Sequence, residues 1–454
     1  NHFYIKEYDE NVYEIIYKLK KYAESGIKNY THSVDLWMKN SGLIIDCDEK
    51  KNALRNLFKN SKVAFIYGAT GTGKSTMINY ISSLFKDKQK IFLANTNPAV
   101  ENLRRKVTAE HAEFVTITKF LSKDVSNDCD ILCLDECSTI SNRDMVRVLQ
   151  RAQCKLLVLV GDIYQIESIL FGNWFNIAYK VMPKDSVAEL TRPHRTTVQG
   201  LIEVWNKVRE ITEDRLEFIT RNGLSSTLDE SIFSRTEEDE IVLCLNYDGI
   251  YGINNINKFL QSNNVNPSIN WGVLSYKVGD PVLFNESNRF APLVYNNLKG
   301  KILQIEEEED CIYFTIEVYT VLNELDVIGF DLELKESVTD ETSVIRFKVG
   351  RGGDGNDDND NVENVVPFQV AYAISIHKAQ GLEYESVKVV ITSEIEEMVS
   401  HNIFYTAITR AKSKLKIYWS PETEKRILEN MKVQFNDKDY QLFKAKYKEA
   451  LLKS

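Results

Sequence analysis

"FIYGATGTGKST", residues 65–76, decides the architecture of this chain. Gly68, Gly71, Gly73, Lys74 and Ser75 fill the pattern G-x-x-x-x-G-K-[ST] of a Walker A loop. The flanks agree: "KVAFIY" reads as a buried strand and "STMINYISSLF" as a helix. Glycines let successive backbone N–H groups turn inward around a β-phosphate at a helix N-terminus, whose dipole also favours anions. Lys74 supplies a charge for the β- and γ-oxygens and Ser75 a hydroxyl for Mg²⁺, while Thr72 and Thr76 complete the nucleotide contacts. The loop therefore predicts a parallel α/β domain that takes ATP with Mg²⁺.

Such a domain needs a second strand that ends in carboxylates. "DILCLDECSTIS" (130–141) provides it, placing Asp135 for the metal and Glu136 as the base for an attacking water. A third strand, "LLVLVGDIYQIES" (156–168), ends at Asp162 with Gln165 three residues on. An amide there can touch both the γ-phosphate and the water. From residue 63 to about 190, β-type runs alternate with helical ones, the rhythm of a doubly wound parallel sheet. A second alternating region contains "EIVLCLN", "FQVAYAIS", "SVKVVITS" and "KLKIYWS", and consecutive short strands interrupt it. The expected division is a helical extension over 1–45, a first α/β domain over 46–195, a second over 196–270 and 351–454, and an inserted small β-barrel over 271–350. The polar "GRGGDGNDDNDNVEN" (350–364) lacks the glycine and closing glutamate of a calcium loop and reads as solvated linker.

Composition narrows the function. The 454 residues exceed one ordinary core. No apolar run approaches the roughly 20 residues of a membrane span and none reads as a signal peptide, so the expectation is a cytoplasmic protein with no membrane partner. The seven cysteines form no CxxC pair, which suits a reducing compartment. A net charge of −10 argues against indiscriminate coating of nucleic acid but leaves room for a locally basic groove.

The order of elements resembles the superfamily 1 helicases, and later segments sharpen the likeness. "LANTNPAVENL" (93–103) and "VTITKFL" (115–121) resemble motifs Ia and Ib, "LTRPHRT" (190–196) the segment whose arginine reaches the γ-phosphate, "AYAISIHKAQGLEYESVKVVI" (371–391) motif V, and "FYTAITRAKSKLKIY" (404–418) motif VI. The resemblance implies two RecA-like domains, with Arg195 and Arg410 as arginine fingers, Gly381 and Glu383 at the nucleotide, and Glu383 on the ribose hydroxyls. It also implies single-stranded nucleic acid, DNA in this reading, across the tops of both domains. Thr96, Asn97, Thr116 and Thr118 would contact it in the first domain and Ser375, His377 and Lys378 in the second. Phe171, Trp174 and Phe175 stand as stacking candidates, with core burial the equal alternative.

"NYDGIYGINNINKFLQ", "VGDPVLFNESNR…VYNNLKGKI" and "YTAITRA" are similar to the RecD, Dda and Pif branch, which implies an SH3-like insert and 5′→3′ movement by a monomeric motor. Two features depart from that branch. Lys50 stands about where its adenine-reading glutamine falls, and only "SKDVSNDCD" (122–130) joins motif Ib to the carboxylate strand, too short for a strand-splitting pin. Translocation is therefore the expected activity ahead of autonomous unwinding, and residues 1–45 are a candidate dock for a protein partner. An RNA-directed motor of the Upf type and a nucleotide-gated binding module remain alternatives.

Overall fold

The computed structural model describes residues 6–69, 71–122, 126–168, 171–192, 196–285, 289–337, 339–351, 364–432 and 437–447. The chain forms two compact units: 1–215 with 400–409 and 430–454, and 216–399 with 410–429.

The first unit is built on six strands: β1 (Val63–Gly68), β2 (Lys90–Ala94), β3 (Ala112–Thr116), β4 (Asp128–Leu134), β5 (Gln153–Gly161) and β6 (Val187–Leu190). They lie in the order β3-β2-β4-β5-β1-β6 and every pair is parallel. A parallel sheet requires cover on both faces, which is why β1 is buried at every position and β4 and β5 become apolar and buried toward their C-terminal ends. In β1, Val63, Phe65 and Tyr67 enter one core and Ala64 and Ile66 the other. Helix α1 (Lys6–Ala23) closes the first face with Val12, Ile15, Ile16 and Leu19, and α2 (Tyr30–Asn40) and α3 (Asp48–Asn56) close the second with Tyr30, Val34 and Leu54. Following β1, α4 spans Lys74–Leu84; α5 (Asn97–Lys106) follows β2 and α6 (Ile117–Leu121) follows β3. The remaining helices of this run are α7 (Asn142–Arg151), α8 (Trp174–Val181) and α9 (Gln199–Glu210).

The division read from sequence differs here. Residues 196–215, 400–409, 430–432 and 437–447 pack with the first unit. The reason is local packing: Trp205 of α9 donates its indole N–H to the Ile408 carbonyl at 3.0 Å, and a His401 ring nitrogen lies 2.9 Å from the Val208 carbonyl. The helix Asp437–Lys446 buries Phe443 in the first core, and Lys446 and Tyr447 both reach the Asp9 carboxylate, at 2.6 and 2.8 Å.

The second unit holds a parallel five-stranded sheet in which Glu240–Cys244 lies between Ala373–Ser375 and Tyr384–Val390, followed by Ala411–Tyr418 and Ser225–Ser226. Between its strands the chain inserts an antiparallel six-stranded sheet running from Pro281–Phe284 to Phe368–Val370. Alternation is strict in Cys311–Val318, where Ile312, Phe314, Ile316 and Val318 point into a core shared with Phe284, Phe347 and Phe368. The insert thus extends past the expected end at 350. Most of the 350–364 segment lies outside the described residues.

Because Leu19 is fully buried, α1 is an integral wall of the first unit. Leu19→Ala should cost about 2–5 kcal/mol, as core truncations do. Urea unfolding of the full chain measures it; a loss under about 0.5 kcal/mol would mark α1 as loosely docked.

Candidate active site

Parallel strands gather their C-terminal ends on one edge of the sheet, where ligands of open α/β folds sit. At the end of β1, Gly71 and Gly73 take φ +80° and +86°, the left-handed backbone that lets the loop curl before α4. Thr72 is buried and its hydroxyl donates to the Ala69 carbonyl at 2.9 Å, which closes the curl. The Lys74 ammonium donates to the carbonyls of Gly68 and Ala69 at 2.8 and 3.0 Å. Ser75 and Thr76 occupy the first turn of α4, partly exposed.

At the end of β4, Asp135 accepts the Glu136 backbone N–H at 2.9 Å, and Glu136 itself has φ +52°. A non-glycine residue held there is strained, and such strain concentrates at functional sites. Burial raises the Asp135 pKa above the usual carboxylate value; the Glu136 N–H and the charges of Lys74 and Lys106 only partly offset it. A carboxylate short of compensating charge fits a divalent cation. Among the described residues no group of three His, Cys, Asp or Glu side chains would hold a metal unaided. Asp135 and the Ser75 hydroxyl suit Mg²⁺ that takes its other ligands from phosphate and water.

At the end of β5, Gln165 follows a turn in which the Asp162 carboxylate accepts the Tyr164 N–H at 3.0 Å. Gln165 is tied to the helix His401–Ile408: Asn402 donates to its carbonyl at 2.9 Å, and the next N–H, of Ile166, donates to the Thr406 hydroxyl at 3.1 Å. Asn402 and Thr406 escaped the sequence reading, although their i, i+4 spacing places both on one helix face. Arg195 lies outside the described residues.

In the second unit, Arg410 is buried and donates to the Leu382 carbonyl at 3.2 Å, while the Arg410 carbonyl accepts the Tyr384 N–H at 3.0 Å. Gly381 sits in this same turn at φ +77°, with Glu383 half-buried beside it. Ser375 is buried and accepts the Lys378 N–H at 3.2 Å; Lys378 reaches the Gln369 amide oxygen at 2.9 Å, and desolvation lowers its pKa. His377 is exposed.

The nucleic-acid candidates of the first unit fall at two helix starts. Thr96 caps α5 by accepting the Ala99 N–H, and Thr116 caps α6 by accepting the Lys119 N–H, with Asn97 and Thr118 exposed beside them. The stacking platform needs correction. Trp174 is fully buried, its indole N–H donates to the Ile140 carbonyl at 2.9 Å, and Phe175 is buried next to it. Both are core because α8 packs its aromatic face onto the sheet. Phe171 is 37% exposed, but Tyr8 already stacks on it at 4.4 Å between centroids.

Asp135→Asn keeps the acceptor for the Glu136 N–H and removes a poorly compensated charge. Measured by calorimetry without nucleotide or metal, the variant should melt a few degrees above wild type, while ATP hydrolysis falls by 10² or more. A lower melting temperature would contradict the electrostatic account of this residue.

A family model for an AAA domain matches residues 47–229, and one for the UvrD-like helicase C-terminal domain matches 370–418. The RecBCD enzyme subunit RecD of Buchnera aphidicola is 23% identical over 85% of this chain and 78% of its own. The ATP-dependent DNA helicase Pif1 of Campylobacter jejuni is 23% identical over 78% of this chain and 88% of its own. An uncharacterised protein of Methanocaldococcus jannaschii is 24% identical, and this chain spans only 37% of its length. Among solved structures, Bacteroides Pif1 in complex with ADP-AlF3 and single-stranded DNA shares the fold at a TM-score of 0.52 and 16% identity, over 89% of this chain and 98% of that one. Candida albicans Pif1 shares it at 0.51 and 18%, over 89% and 100%. With its Walker loop, carboxylate strand and downstream motifs in this order, the chain is similar to the superfamily 1 helicases of the RecD and Pif1 branch.

Proposed function

We propose that this chain is an ATP-driven motor that moves 5′→3′ along single-stranded DNA and displaces what is bound there. The observation that carries the proposal is the pair of hydrogen bonds linking the Gln165 segment to Asn402 and Thr406. A simple nucleotide-binding module has no need to fasten its γ-phosphate-sensing turn to a helix more than 230 residues away in sequence. That helix ends at Ile408, and the chain turns through Thr409 to Arg410, where it returns to the second unit. In this reading a change at the γ-phosphate acts on the residue at which the chain returns to the second unit, and bond chemistry becomes motion.

In this reading Lys74 and the loop N–H groups hold the phosphates. Glu136 accepts the proton of the attacking water, and Gln165 orients that water. Arg410 and Arg195 spread the charge of the transition state, a task for which the guanidinium fork is suited. Asp135 and Ser75 would hold Mg²⁺, which would supply charge neutralisation at the phosphates. Thr96, Asn97, Thr116, Thr118, Ser375, His377 and Lys378 position the strand through its phosphates. The likeness to RecD and Pif1 supports DNA as the track and the 5′→3′ direction, and supports an SH3-like role for the inserted sheet.

Splitting a base-pair step costs about 1.4 kcal/mol on average. A motor following one strand excludes the other only when something rigid stands at the junction. Motif Ib connects to β4 through little more than Ser122–Asp128, and the insert carries the acidic run Glu306–Asp310. The chain alone should therefore strip streptavidin from a 5′-tailed oligonucleotide but open a duplex of about 30 base pairs poorly. Paired 5′- and 3′-tailed substrates in ATP measure both properties. Efficient duplex opening would reveal another separating element, and activity from 3′ tails only would overturn the polarity.

A further inference from the structure

The two sides of β1 differ in chemistry. Toward β5 and β4 lie Gln165, Asp135 and Glu136; toward β6 lies α3. Its Glu49 carboxylate fixes it there, accepting the backbone N–H and hydroxyl of Thr191 at 3.1 and 2.8 Å, directly after β6. A nucleotide whose terminal phosphate faces the carboxylates must run its ribose and base the opposite way, toward α3.

At that end the chain places a buried cation. Lys50 is 1% exposed, and its ammonium lies so close to the loop that a Cβ on Gly73 would stand 2.6 Å from Nζ. Gly73 is thus required twice, for its φ of +86° and for the space Lys50 fills. The hydrogen-bond partner of Lys50 is Asp46, one turn earlier at 2.6 Å, and the Asp46 side chain keeps 39% of its exposure. An ammonium beside the N-terminus of α4 faces the positive end of a helix dipole, so one carboxylate leaves it short of acceptors.

Hydrogen-bond chemistry then selects the base. An ammonium only donates, and a carboxylate only accepts. The N7/C6 edge of adenine offers an acceptor and an amino donor, whereas that of a 6-oxopurine offers two acceptors, N7 and O6. The oxopurine also carries an N1–H for a carboxylate. We infer that Lys50 and Asp46 form a base-reading pair, through which this site takes GTP and ITP at least as well as ATP. The inference rests on the reading of the P-loop as the motor's nucleotide site.

The test compares kcat/KM for ATP, GTP and ITP in the full chain with saturating single-stranded DNA, alongside displacement of a fluorescent ADP analogue by ADP, GDP and IDP. We expect the oxopurine nucleotides to equal or exceed their adenine counterparts in both assays. In K50Q, which can both donate and accept, the GTP-to-ATP ratio should fall at least tenfold. A tenfold or greater wild-type preference for adenine overturns the inference, as does a K50Q variant that leaves the ratio unchanged. If DNA fails to stimulate turnover, the motor reading fails, yet the displacement assay still decides the base preference.

Discussion

Parallel strand pairing is the constraint on which this molecule depends. In the first unit every strand of the six-stranded sheet runs the same way, so every strand delivers its following residues to one edge. β1 delivers the phosphate loop, β4 the Asp135–Glu136 pair and β5 the Asp162–Gln165 turn, while β2 and β3 deliver the capped helix starts at Thr96 and Thr116. No single segment contains the site. Register among strands far apart in sequence creates it, and that register is enforced by burying both faces of the sheet.

The same constraint explains where polar groups are tolerated inside. Asp135 sits at a strand end where burial raises its pKa and the neighbouring N–H and lysine charges only partly offset that cost. In the second unit, by contrast, the buried pair Lys388–Glu240 at 3.0 Å is paired and hydrogen-bonded throughout: Lys388 donates to the Ser231 carbonyl and Glu240 accepts from Ser386 and Thr236. One arrangement is complete as it stands. The other is left incompletely compensated, and that contrast separates a structural ion pair from a candidate reactive group.

Much of this was legible in the sequence because apolar runs that end in Gly-Lys-Ser, Asp-Glu or Gly-Asp have few structural explanations other than a nucleotide edge. What escaped was decided by tertiary packing. The aromatic run around Trp174 reads equally as platform or core, and only the contact of its indole with Ile140 settles it as core. The helix His401–Ile408 stands between segments of the second unit in sequence yet packs with α9, because Trp205 and His401 pair with carbonyls across that contact. The inserted sheet outran its expected end, since Phe368–Val370 lies beyond a polar loop that masks the pairing. Lys50 was visible as a departure from the family pattern, but its burial against Gly73 was not.

The central claim is that nucleotide hydrolysis in this chain is coupled to a nucleic-acid track. Steady-state ATP turnover titrated with oligo-dT tests it most directly. The account predicts a saturable rise of at least tenfold over the basal rate, lost in Glu136→Gln although that variant still binds nucleotide. Turnover that is indifferent to oligo-dT would contradict it, and stimulation by oligo-U alone would move the track from DNA to RNA.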